Sequence, residues 1–356
     1  MNPANHYTLS HRRLSYFAPF TVVFITVLLV GFLSVRLYCY VKTPNVDLKG
    51  KRHMYLYIPT GTDFGGLLKI LKAKDMLMNE RSFIYISQRK HYDSKVKPGR
   101  YKIQSGMNNN ELVNLLRSGR QEPVKLNIQS ARTVAELAGR LSHQVEADSS
   151  SLMKLFLDPA SLKPYGIDNY NVFVLFIPNT YEMFWNTSAM QLLNKMSLEQ
   201  TIFWNPWRRR LLSSTGMSIE QVVTLASIVE KETNKDQEKP DIAGVYINRL
   251  KKKWPLQADP TIIFAWQDYS IRRVTARHLK IDSKYNTYTH TGLPPGPVCI
   301  PSISSIDAVL NFRHHGYMYF CAKEDLSGSH NFAASLSEHN RNAKKYQQAL
   351  DRLNIR

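Results

Sequence analysis

Hydrophobic spacing divides the chain into one unbroken apolar run and a longer part where strand and helix patterns alternate. Residues 16–35, YFAPFTVVFITVLLVGFLSV, carry no charge, and about 20 apolar residues are what a helix needs to cross a bilayer core. Arg12 and Arg13 precede the run and Arg36 follows it, with no small-residue cleavage site at Ser34-Val35-Arg36. An uncleaved anchor over 16–37 is therefore expected, between a tail at 1–15 and a basic linker at 38–52. Counting only the flanking cations (Arg36, Lys42, Lys49, Lys51 and Arg52 on the far side) places the large part of the chain inside the cell. A long following domain can override that count.

Past the linker, alternation predicts a strand at 54–58, then a helix capped by Thr62 with Phe64, Leu67, Leu68 and Leu71 on one face. A second helix follows at 80–89, then a Lys97-Pro98-Gly99 turn and a strand at 100–103. Asn108 or Asn109 caps a short helix that Gly119 ends. The pattern restarts with a strand at 124–128, a helix capped by Thr133 and another opened by the serines at 149–151. YLYIPTGTDFGGLLKIL against KLNIQSARTVAELAGRL reads as a degenerate strand–helix–helix repeat. Residues 172–185, VFVLFIPNTYEMFW, predict a buried strand entering an aromatic loop, and a helix starts at Ala189. FWNPWRRR (203–210) suits either a nucleic-acid stripe or a solvated helix face anchored by Trp204 and Trp207. Helices at 241–250 and 337–353, a strand at 317–322 and a Ser-Gly turn near His330 complete the pattern. The expected fold class is α+β: a transmembrane helix, a small α/β unit at 53–123 and a larger mixed unit at 124–356.

One stretch organises the larger unit. Residues 218–233, SIEQVVTLASIVEKET, read as a mostly buried helix capped by Ser218 and ending in two carboxylates, Glu230 and Glu232. The helix dipole disfavours anions at that end, and apolar surroundings raise a carboxylate's pKa toward the range of a general acid. Residues two apart on a helix point about 200° away from each other, so at most one of the pair serves a given site. Both being solvated at a fraying end around Lys231 is the ordinary alternative.

Charge narrows the partners. With 47 Lys and Arg against 28 Asp and Glu, the chain carries +19, a surface that favours nucleic acid, anionic lipid or a carboxylate-bearing polymer. Cys39, Cys299 and Cys321 form no CxxC pair and no disulfide framework. Residues 285–301, YNTYTHTGLPPGPVCIP, make a stiff loop rich in prolines, hydroxyls, amides and rings. That composition suits sugar recognition with little loss of entropy on binding.

SIVEKET, VYINRL, LQADPT, YNTYTHTGLPPGP and GSHNFAASLSEHN resemble, in the same order, the YceG-like family of endolytic lytic transglycosylases. These are single-pass bacterial membrane proteins that cut nascent peptidoglycan strands. The resemblance runs from Met54 to the C-terminus and implies a LysM-like subdomain at 53–123 and a catalytic transglycosylase domain at 124–356. It places the catalytic acid at Glu232, the second glutamate of the E-K-E triplet, with Glu230 facing elsewhere. Gln257, Asp259, Tyr285, Asn286, Tyr288 and His330 fall in the matching motifs and are expected around the substrate, although capping its helix is the ordinary role for Asp259. No cofactor is implied, and His314, His315, His330 and His339 lack metal-ligand spacing. The implied partners are peptidoglycan glycan strands, the cytoplasmic (inner) membrane through one helix, and penicillin-binding peptidoglycan synthases; nucleic acid is not among them. The implied location of the catalytic part is the extracytoplasmic side, against the flanking-charge count. One departure stands out: many members carry Glu-Gly after the strand matching 124–128, where this chain has Gln129-Ser130-Ala131.

A single acid suffices for this chemistry. A hydrolytic glycosidase normally needs two carboxylates, whereas in a lytic transglycosylase the sugar's own C6 hydroxyl attacks C1 and leaves a 1,6-anhydro end. Two other readings fit the bare composition: a wall-binding scaffold without turnover, and a nucleic-acid-binding membrane protein whose affinity falls steeply with salt.

Overall fold

The structure, a computed structural model, describes residues 11–352; most of the expected tail at 1–15 lies outside them. The apolar run forms α1 (His11–Lys42), whose Phe20–Lys42 portion has a mean hydropathy of 2.3 and is exposed from Phe20 to Cys39. The helix continues to Lys42, into the stretch expected as linker. There Tyr40 packs edge-on to Tyr85 at 5.7 Å, and its carbonyl accepts the Asn109 side-chain amide.

The chain divides into two compact units, the first ending at Pro123 and the second beginning at Val124. In the first, β1 (His53–Ile58) leads through α2 (Phe64–Ala73) and α3 (Glu80–Arg89) to β2 (Gly99–Gln104), and α4 (Asn109–Ser118) follows. β1 and β2 pair antiparallel with Leu56 opposite Tyr101. Leu56, Ile58, Leu67, Phe83, Tyr101 and Leu112 are fully or almost fully buried between strands and helices. Asp63, not Thr62, caps α2: its carboxylate accepts the Gly66 N–H, while the Thr62 hydroxyl turns back to the Pro59 carbonyl. Asn108 caps α4 in a reciprocal box with Glu111, and Gly119 ends it at φ 74°, a left-handed conformation that glycine adopts without strain.

The second unit opens on the same order. β3 (Val124–Ile128) is followed by α5 (Val134–Ser142), α6 (Ser149–Leu157) and the short α7 (Pro159–Leu162), and β4 (Asn179–Met183) returns antiparallel with Leu126 opposite Tyr181. Both copies of the repeat thus close a two-stranded antiparallel sheet after a helical excursion. Thr133 caps α5 and the serines at 149–151 open α6, both as expected, with Asp148 as the cap of α6. The apolar run at 172–177 is not a strand. All six of its side chains are buried, as they would also be in a strand covered on both faces, so burial alone does not separate strand from turn. The run tightens into a 3₁₀ turn, Val172–Leu175, and the alternating NTYEM segment supplies the strand.

Next come α8 (Ala189–Phe203), α9 (Pro206–Thr215), α10 (Ile219–Glu232), α11 (Lys239–Lys251), α12 (Asp259–Trp266) and α13 (Ile303–Leu310). The chain then forms β5 (Tyr319–Ala322), β6 (His330–Ala333) and α14 (Leu336–Arg352). The second core surrounds α10: Val222, Val223, Leu225, Ala226, Ile228 and Val229 are buried with Ile242, Tyr246, Ile306 and Val309. The FWNPWRRR stretch is partly absorbed into this unit. Trp204 is buried, Arg208 pairs with Asp307 at 3.0 Å, and Arg209 donates to the Trp204 carbonyl.

Candidate active site

α10 is fixed at both ends before any chemistry is considered. Ser218 accepts the Gln221 N–H while the Gln221 side chain accepts the Ser218 N–H, a reciprocal box that satisfies two orphan donors. Midway, the Ser227 hydroxyl accepts the Val298 N–H at 2.9 Å, tying the buried helix to the proline-rich loop. Thr233 is extended, so the helix stops at Glu232.

The two terminal glutamates diverge as the helical period requires. Glu230 meets Lys239 at 3.2 Å and the hydroxyls of Ser302 and Ser305 at 2.5 Å. Burial pushes its pKa up, but those hydroxyls and the ammonium outweigh burial and leave it below the ordinary glutamate value. Glu230 is a permanent anion joining α10, α11 and the start of α13.

Glu232 has the opposite surroundings. Part of the residue remains accessible, yet protein atoms crowd its carboxyl enough for burial to raise its pKa to about 7. The Tyr246 hydroxyl donates to Oε1 at 2.6 Å and pulls the pKa down; the Asp259 charge pushes it up; the Arg249 charge lowers it again. Tyr246 and Arg249 lie three apart on α11 and therefore share a face. Tyr246, deeply buried, has its own pKa raised well above normal, first by burial and then by the Glu232 charge, so it stays a donor. Arg249 is almost fully buried and gives its guanidinium N–H groups to the carbonyls of Met318 and Leu256 at 2.8 and 2.6 Å.

The remaining motif residues fall into three groups. Asp259 and Tyr288 belong with the acid: the Tyr288 hydroxyl donates to Asp259 Oδ1 at 2.5 Å, and both are electrostatically coupled to Glu232. Asp259 does not cap its helix by side chain as the ordinary reading has it. Ala258 occupies the cap position, leaving the Asp259 carboxylate for Tyr288. Gln257 stands beside this group in a left-handed conformation at φ 54°, its N–H donated to the Thr287 carbonyl and its Oε1 3.4 Å from Arg249.

Asn286 and Tyr285 build the loop. The fully buried Asn286 amide donates to the carbonyls of Leu279 and Ile281, both at 2.9 Å, and its Oδ1 accepts the Tyr288 N–H. Tyr285 is packed against Phe264 at 4.6 Å. Thr287 holds the loop to α12 through the Ala258 N–H and the Thr261 hydroxyl.

His330 stands apart from the acid. Its Nδ1 lies 2.9 Å from Glu238, and its ring meets Phe320 edge-on, which in turn meets Tyr246. Tyr246 and Arg249 were not singled out from sequence; the available signal was two polar groups at i, i+3 beside the apolar positions Ile242, Val245 and Ile247 of α11. Among the described residues, no three His, Cys, Asp or Glu side chains gather as a metal set. Cys299 is buried against the Ser227 carbonyl, and burial lifts its thiol to about 11.

Residues 56–345 match the model of the YceG-like family. A relative named endolytic murein transglycosylase from Bacillus subtilis is 28% identical over 85% of this chain and 87% of its own length. A relative of the same name from Streptococcus pneumoniae is 27% identical over 85% of this chain, which spans 60% of that longer protein. Among solved structures, a YceG-like protein of Listeria monocytogenes superposes with a TM-score of 0.54 at 29% identity, over 82% of this chain and 99% of that one.

Proposed function

The chain belongs to the YceG-like family, and from that premise we propose that it is a membrane-anchored endolytic murein transglycosylase with Glu232 as its one acid–base group. The observation that carries this reading is the environment of Glu232. A carboxyl with a pKa of about 7 is substantially protonated at neutral pH yet basic enough, once ionised, to take a proton back. Glu232 gives its proton to the oxygen bridging MurNAc and GlcNAc as that bond breaks. The C6 hydroxyl of the same MurNAc attacks C1, and the Glu232 carboxylate removes the hydroxyl proton, which restores the acid and leaves a 1,6-anhydro ring. The attacking group is intramolecular, so its positioning costs little additional entropy. Tyr246 orients the carboxyl, and the Tyr288–Asp259 pair and Gln257 form the polar surroundings of the sugar. Tyr285 and His330 belong to the wider substrate surface, and Asn286 holds the loop in shape.

One observation favours a second reading. Asp259 acts electrostatically on Glu232, and two neighbouring carboxylates are the equipment of a hydrolase. Its bond to Tyr288 supports a positioning role instead. Mass spectrometry of purified glycan strands after incubation with the protein separates the readings: anhydro-muramyl ends are expected, reducing ends indicate hydrolysis, and intact strands indicate a binder.

The apolar helix Phe20–Lys42 serves as a single-pass anchor in the cytoplasmic membrane, with the larger unit outside, where glycan strands and penicillin-binding synthases are found. Phosphatase and fluorescent-protein fusions at the C-terminus test the sidedness. Phosphatase activity is expected, and a fluorescent cytoplasmic signal overturns it.

A further inference from the structure

A small basic hollow, lined by the sequence neighbours of Glu232 and Asp259 but by neither carboxylate, takes no part in the chemistry above. It holds about 170 Å³ and is lined by Arg132 and Lys231 together with Phe264, Tyr269, Ile271 and Val298. A hollow of that volume is large enough for a small polar group. Its place is set by the same two helix ends that build the site. Lys231 immediately precedes Glu232 at the end of α10, and Pro260, also in the lining, immediately follows Asp259 at the start of α12.

No Asp or Glu lines the hollow, and among the described residues neither Arg132 nor Lys231 forms an ion pair. Glu136, whose carboxylate accepts the Arg132 backbone N–H at 2.7 Å, is already paired with Arg140. The Arg132 guanidinium instead lies 5.2 Å from the centre of the Tyr269 ring, and the Tyr269 hydroxyl donates to the Arg132 carbonyl. Ring and backbone thus place the guanidinium at the rim without neutralising it. Two like charges around one partly apolar hollow repel each other, and an anion between them removes that cost. A planar carboxylate suits this pair, because a guanidinium binds it through two parallel N–H bonds while an ammonium adds a point charge.

We propose that this hollow binds a free carboxylate of the peptide stem carried by the muramic acid ring, so that the enzyme favours strands with free stem carboxylates over strands in which these are blocked. The inference rests on the transglycosylase reading, which supplies a substrate whose rings carry such stems. Arg132 and Lys231 are specificity residues in this view and transfer no proton.

Steady-state kinetics of the full chain on two strand preparations, one with free stem carboxylates and one whose stem carboxylates are capped as amides, tests it. The wild-type KM is expected to be about five- to tenfold lower on strands with free stem carboxylates, the value of one net hydrogen-bonded contact. Arg132→Gln and Lys231→Gln each reduce that ratio, their combination brings it close to one, and Arg132→Lys, which keeps the charge but loses the paired N–H bonds, retains only part of it. Measuring both substrates on each preparation of a variant separates specificity from folding. A wild-type KM indifferent to capping of the stem carboxylates, or a ratio unmoved by the double substitution, overturns the proposal and leaves the transglycosylase reading standing. Cleavage of neither preparation by the wild type overturns both.

Discussion

At the scale of single residues, what matters is how one helix end gives two glutamates opposite characters. Glu230 is surrounded by donors and held ionised; Glu232 has one phenol and crowded surroundings, and its proton is retained to about pH 7. The consequence for stability can be signed. The folded-state pKa of Glu232 lies above its ordinary value of 4.5, so its contribution to stability is fully present below pH 4.5 and lost as pH rises through 7. Above pH 7 the buried carboxylate costs free energy that a neutral amide does not. Glu232→Gln is therefore expected to be more stable than the wild type at pH 8, by on the order of 2 kcal/mol, with the difference shrinking toward pH 5. Denaturant melts at the two pH values check this without reference to activity. Tyr246→Phe removes the bond that lowers the Glu232 pKa. The alkaline limb of the pH–rate profile should move up by on the order of one unit, and a limb left in place would show that Tyr246 does not tune the acid.

At the scale of elements, α10, α11, α12 and the loop at 285–301 act as a frame. Glu230 joins three of the second unit's segments through the almost fully buried Lys239 and the Ser302 and Ser305 hydroxyls. Glu230→Gln leaves that ammonium with only the largely exposed Asp236 carboxylate, 2.7 Å away, as counter-charge, and is expected to cost on the order of 2 kcal/mol of stability, read as a lower denaturation midpoint. The pKa assigned to Glu232 from the alkaline limb should not move, since the two side chains have separate partners.

The frame was largely legible in the sequence. The Ser218 cap, the buried face of α10 and the divergence of its glutamates follow from a period of 3.6 residues and one capping box. The Tyr246 bond was not legible, because an aromatic on an apolar face reads as core and its hydroxyl finds a partner only when α11 packs beside α10. The 3₁₀ turn at 172–175 was missed for a related reason: six consecutive apolar residues fit a buried strand as well as a buried turn. Asn286 looked like a sugar ligand by composition, but its amide is spent on carbonyls a few residues away, a local closure that spacing alone does not reveal.

At the scale of the whole molecule, an apolar helix precedes a strongly basic chain of net charge +19. That charge is expected to draw the protein to acidic wall material, and retention on isolated wall sacculi should weaken between 50 and 500 mM salt, on the order of tenfold or more. Salt-independent retention would place the affinity in uncharged contacts instead. The chemistry requires only one proton donor, because the cleaved sugar supplies its own nucleophile. The most direct test is the pH dependence of anhydro-end release, measured by mass spectrometry for the wild type and for Glu232→Gln with strand binding monitored in parallel. The expected result is a wild-type rate that falls above a pKa near 7 and a variant that binds strands but releases no anhydro ends. Anhydro ends from the variant at a rate comparable to the wild type would contradict it.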